Sequence, residues 1–110
     1  MSYPTIFSTP GVRAFAEAVD DERRAQLAKW GEQHHPDGTE RRRARLAGAA
    51  RARCQVAAEE GRVTWRHILD EEVEEAFAET DPAKLRAELV QVAAVCAAWI
   101  ADLDSRKPAP

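Results

Sequence analysis

Helix-breaking residues occupy only a few places in this chain of 110 residues, and the stretches between them are rich in alanine. Alanine and straight-chain residues enter a helix at little cost, whereas Gly and Pro end one. Five Gly, six Pro, no Asn and 6% aromatic residues favour helices. An all-β domain would need more β-branched residues and more turns. Two cysteines are too few for a disulfide scaffold. A mean hydropathy of -0.52 with 32% charged residues describes a soluble globular chain of one domain's length.

The breaks divide the chain into four helical runs. Residues 1–10 (MSYPTIFSTP) form an extended arm, because Pro4 and Pro10 block an early helix. A first helix is predicted from Val12 to Gln33, with Gly31 near its end, and HHPDGT (34–39) makes a loop. A second is predicted from Glu40 to Glu60, capped by Thr39 and stopped by Gly61. Thr64 caps a third, from Trp65 to Glu79. Asp81-Pro82 starts a fourth, with a capping carboxylate followed by proline at the first helical position. It runs to Asp104, and SRKPAP (105–110) is a frayed tail. Short connections imply a small antiparallel four-helix bundle as a single all-α domain over residues 11–104. So alanine-rich a bundle buries little area per residue, so a homodimer or larger homo-oligomer is expected to complete its core.

The longest apolar stretch, Leu89 to Ala101, is 13 residues long and interrupted by Gln91. A spanning helix needs about 20. The N-terminus also lacks the pattern of a signal peptide, so the expected location is cytoplasmic.

A net charge of -3 hides an uneven distribution. Residues 40–53 carry six Arg against one Glu, while residues 70–81 carry seven acids and no base. On the third helix Trp65, Ile68, Leu69, Val73 and Ala76 share a stripe, and Glu72 falls inside it. Glu75 lies at its edge, and Glu71 and Glu74 point further out. On the fourth helix Leu85, Leu89, Val92, Cys96, Trp99, Ile100 and Leu103 form the stripe, with Glu88 on its border and Gln91 just outside. At about 1.5 Å rise per residue, Glu72 and Glu88 both sit roughly 10 Å from the Thr80–Pro82 turn, and so at one level. Glu72 with Glu75, and Glu88 with Gln91, are i,i+3 neighbours. A solvated face explains Glu71 and Glu74. Unpaired carboxylates on a packing face are costly, so Glu72 and Glu88 need basic partners or a cation. Hard oxygen donors in this number suit Mg²⁺ or Mn²⁺.

EEVEE (71–75) followed by ELVQ (88–91) resembles the EExxE…ExxD motif of the MazG-like all-α nucleoside triphosphate pyrophosphohydrolases. The 12 residues between the halves fall at the short end of that family's range, and QLAKWGEQ (26–33) is similar to the first helix of many small members. The resemblance implies a MazG-like bundle that uses Mg²⁺, or Mn²⁺, to hydrolyse a (d)NTP between its α and β phosphates. It places metal ligands at Glu72, Glu75 and Glu88, with Glu71 supporting them from outside the ligand set. The fourth ligand position, normally Asp, is Gln91 here. An amide oxygen can ligate Mg²⁺ but removes one negative charge.

Further residues carry alternatives. Arg42, Arg43 and Arg53 fall on the side of Leu46, Ala50 and Ala57, which suits pairing with the acidic helices or gripping substrate phosphates, while Arg41, Arg45 and Arg51 look outward. Trp30, at a helix end beside Gly31, is the candidate for a nucleobase contact, with Gln26 and Lys29 nearby. His34-His35 reads as a surface loop or a lid. Cys54 and Cys96 read as small buried residues, and His67 has no evident partner. The alternative to an enzyme is a non-catalytic nucleotide-binding or interaction protein of the same fold. Nucleic-acid binding through the Arg-rich second helix is the third reading, disfavoured by the acidic total and the lack of interleaved aromatics.

Overall fold

The computed structural model describes residues 7–106, so most of the predicted arm and tail lies outside the described residues. It is all-helical: α1 (Val12–Trp30), a 3₁₀ turn (Arg41–Arg43), α2 (Ala44–Glu59), α3 (Trp65–Ala78) and α4 (Pro82–Ser105), with no strand among the described residues. No described helix is long and apolar enough to cross a membrane. Asp37–Cys96 form one compact unit, and the described residues on either side of that range form the other.

Local chemistry sets most of the helix ends. Asp81 Oδ2 accepts from the Lys84 backbone N–H at 3.0 Å, with Pro82 opening α4. At the end of α2 the Gly61 N–H donates to the Ala58 carbonyl and the Arg62 N–H to the Ala57 carbonyl. This paired arrangement needs a left-handed residue, and Gly61 supplies φ 71°. Thr64 caps α3 by accepting from the His67 N–H at 3.2 Å. His67 returns the contact: its Nδ1 accepts from the Thr64 backbone N–H at 3.1 Å and lies 2.7 Å from the Thr64 hydroxyl. The imidazole therefore does the work Glu or Gln does in a capping box, and His67 is not the partnerless residue its helical wheel suggests.

Two predicted boundaries move. The first helix ends at Trp30, where the Gly31 N–H closes on the Leu27 carbonyl, and not at Gln33. Thr39 does not cap the second helix. The chain enters through the 3₁₀ turn after Glu40, whose backbone N–H is held by the Phe77 carbonyl at the end of α3.

In the unit Asp37–Cys96, α2 packs on α3 and the 3₁₀ turn touches both. The buried residues here are Ala47, Ala50, Ala57, Ala76 and Leu85. Alanine at the contact lets two helices approach closely but removes little apolar surface from water. Leu46, which the helical wheel groups with Ala50 and Ala57, is 47% exposed, whereas its neighbour Ala47 is buried. In the flanking unit α1 buries no residue, and exposed i,i+4 pairs such as Arg13–Glu17 and Arg24–Asp20 lie along it. Gly11 starts that helix at φ 85°, and a Cβ there would stand 2.8 Å from the Ala101 Cβ. Of the stripe predicted on α4, Leu89, Ile100 and Leu103 are exposed in the single chain.

Because one side chain secures the entry to α3, Thr64→Ala is expected to cost about 1 kcal/mol of stability. Denaturant unfolding of the full chain measures it, and His67→Glu, which restores the usual capping-box partner, should lie close to the parent.

Candidate metal centre

The acidic centre lies within the unit Asp37–Cys96, where carboxylates of α3 and of the first half of α4 come together. Glu72 and Glu75 project from adjacent turns of α3, and Glu88 from α4. One carboxylate oxygen from each can be chosen so that all three lie within 4.8 Å of one another. All three residues are partly buried. Glu72 Oε2 and Glu88 Oε2 are sealed from solvent and lack any hydrogen-bond partner.

This crowding has an electrostatic cost. Burial, reinforced by Glu75, Glu71 and Glu88, pushes the Glu72 carboxyl above the usual carboxylate range. Burial likewise raises Glu88, helped by Glu75 and Glu79 and opposed by Arg51. Both shifts arise because a desolvated anion among anions favours its proton. The donor set fits a hard divalent cation. At about 2.1 Å per ligand, oxygens on opposite sides of Mg²⁺ stand about 4 Å apart, so small side-chain rotations close the observed spacing. The two partnerless oxygens are the atoms a cation would satisfy.

Arginines of the 3₁₀ turn and of α2 meet the acids of α3 along the packed seam. Arg43 Nη2 donates to Glu74 at 3.2 Å and its guanidinium covers the Phe77 ring. Arg51 Nη2 donates to Glu75 Oε1 at 2.9 Å, and its Nε stands 3.7 Å from Glu71 Oε1. Arg53 Nη2 donates to Asp70 at 3.2 Å. Three assignments from the helical wheel change here. Glu71 and Glu74 are not solvated but partly buried and paired. Arg51 is exposed as expected but paired, and it lines an open cleft of about 370 Å³ together with Gly48, Glu75, Glu79 and Glu88. Of the residues the wheel groups on the inner side, Ala50 and Ala57 are buried but Leu46 is exposed, and its neighbour Ala47, about 100° round the helix, is buried instead. Arg42, placed on the inner side, instead bonds its near neighbour Glu40 and is exposed.

The remaining candidates are dispersed. Gln91 is exposed on α4 and does not line the cleft. Gln26, Lys29 and Trp30 lie on α1, in the other unit. Gln26 Oε1 accepts from Arg23 at 2.6 Å, and Lys29 Nζ stands 4.7 Å from the centroid of the Trp30 ring, which is exposed. His34 and His35 are exposed in their loop. Cys54 and Cys96 are only partly buried, and burial together with Glu71 holds the Cys54 thiol above its ordinary value, away from the reactive thiolate.

The raised carboxyls have a consequence for stability. The native state holds protons at Glu72 and Glu88 that the unfolded chain has already released just above the ordinary carboxylate range. Their contribution is complete below the unfolded value and is lost as pH rises through the raised native values. Without divalent cations, the melting temperature is therefore expected to fall as pH rises above the ordinary carboxylate range. Replacing both residues, Glu72→Gln with Glu88→Gln, should flatten that fall, as read by calorimetric melts at each pH. Compared with protein-family models, with curated proteins and with solved structures, the chain gives no match in any of the three.

Proposed function

We propose that this chain is a Mg²⁺-dependent nucleoside triphosphate pyrophosphohydrolase of the MazG-like kind. In this reading it is an antiparallel bundle working in the cytoplasm as a homodimer or larger homo-oligomer. The observation that carries the reading is the convergence of Glu72, Glu75 and Glu88 from two helices, with two sealed oxygens that no protein group satisfies. A structural acidic face would leave those oxygens to water or pair them with arginine, as Glu74 and Asp70 are paired.

In this reading Glu72, Glu75 and Glu88 hold Mg²⁺ or Mn²⁺, and Gln91, exposed on α4, stands at the position where the resembled motif has Asp. Glu71 steadies the site through Arg51. A bound cation of this kind screens phosphate charge and makes a water molecule more acidic. Water adds to the α phosphorus, the α–β bridging bond breaks, and a nucleoside monophosphate and pyrophosphate result. Arg53, half exposed beside the acidic helices, is the candidate grip on the phosphates. Trp30 with Gln26 and Lys29 is the candidate base contact. The exposed Leu89, Ile100 and Leu103 support the oligomer, since association would cover them.

The second reading, a non-catalytic nucleotide-binding or interaction protein, is favoured by one observation. Arg43, Arg51 and Arg53 already balance Glu74, Glu75 and Asp70, so most of the acidic run has a structural use. The same pairing leaves little of α2's positive charge for nucleic acid.

Pyrophosphate release from a panel of canonical and modified (d)NTPs with Mg²⁺ or Mn²⁺ separates the two. Turnover is expected, and nucleotide binding without turnover on any of them would sink the enzyme reading. Glu72→Gln and Glu88→Gln should each lower the rate by more than about 100-fold with helicity intact, whereas Glu74→Gln should not. Gln91→Asp adds a negative oxygen donor and is expected to tighten Mn²⁺ binding in calorimetric titration.

A further inference from the structure

Arg51 is the one basic residue lining the cleft that Glu75, Glu79 and Glu88 share. It sits where α2 is thinnest, with Ala44, Ala47 and Gly48 making the rest of that wall. A Cβ at Gly48 would meet nothing within 4 Å, so the wall is open at that point. Arg51 is bonded to Glu75, one of the three convergent carboxylates, and stands near Glu71. Glu75 is thus claimed twice: by the arginine now holding it, and by the cation its neighbours are placed to share.

Charge decides how such a double claim resolves. Three carboxylates against one divalent cation leave one net negative charge, and one guanidinium cancels it. The Arg51 side chain is 52% exposed, so water screens its pairing and the pair yields readily. A released guanidinium stays rooted on α2 at the cleft wall, with its fork of donors matched to phosphate oxygens.

We propose that Arg51 is an exchangeable counterion, which holds Glu75 while the cluster lacks a divalent cation, yields Glu75 to the cation, and then takes a phosphate oxygen of the substrate. The inference rests on the cluster being the cation site proposed above. It makes Arg51 a positioning residue before the cation binds and a substrate contact afterwards. Cation binding and polyphosphate binding become cooperative as a result, because the first event frees the group that serves the second.

The test uses the full chain and no turnover. Mn²⁺ is titrated calorimetrically without nucleotide, and inorganic triphosphate is then titrated at saturating Mn²⁺. Arg51→Ala is expected to bind Mn²⁺ roughly fivefold more tightly than the parent, the equivalent of one surface ion pair. It should bind triphosphate about tenfold more weakly, and Arg51→Lys should recover part of that loss. Arg51→Gln, which keeps donors and removes the charge, serves in place of the alanine variant should that lose helicity. Equal or weaker Mn²⁺ binding by the neutral variant, or unchanged triphosphate binding, overturns the counterion role while leaving the cation site standing. A parent chain that takes up no Mn²⁺ overturns the site itself, and this inference with it.

Discussion

Close contact between two alanine-lined helix faces governs the rest of the central unit. Ala47, Ala50 and Ala57 on α2 and Ala76 on α3 are buried, and none of the larger side chains of these two helices is. Long charged side chains rooted beside the seam can therefore reach across it, and Arg43, Arg51 and Arg53 all do. The same smallness limits hydrophobic stabilisation, because a buried alanine removes far less apolar area than a leucine. Helix ends secured by their own residues matter more in such a chain: the Thr64–His67 box, the Asp81 cap and the Gly61 stop each fix a boundary without a large core.

The acids of α3 and α4 separate into two groups by what faces them. Asp70, Glu71, Glu74 and Glu75 have arginine beside them, so their charge is balanced where it stands. Glu72 and Glu88 each keep one oxygen hidden from water and from every donor, and burial raises both carboxyls. A fold with so thin a core carries that cost at the one place where two helices bring oxygens together. The pairing of cost with convergence is the physical reason for reading a cation site there. Arg51 belongs to both groups, since it neutralises Glu75 and also bears on Glu88.

Much of this was legible in the sequence because the relevant interactions are local. Asp81-Pro82, Gly61 and Thr64 act within a few residues of themselves, so their signals survive any tertiary arrangement. The matching level of Glu72 and Glu88 follows from helical rise across a short turn. His67 was readable in principle, as a Thr-x-x-His variant of the capping box, but imidazole is not the residue usually sought there. The place of Thr39 was not readable, because the Glu40 N–H bonds to Phe77, far along the chain, and this diverts the helix start.

The sequence by itself determined an all-helical chain, the position of most helix ends, and the juxtaposition of Glu72, Glu75 and Glu88. Each depends on backbone geometry over one or two turns. Only the tertiary structure decided which face of α2 turns inward, because that choice belongs to packing between helices and not to the hydrophobicity of one. Leu46 is the more apolar residue, yet Ala47 lies inside since the seam admits only a small side chain. With that choice Arg51, still half exposed, reaches the carboxylates, and the part of the centre that carries positive charge comes into view.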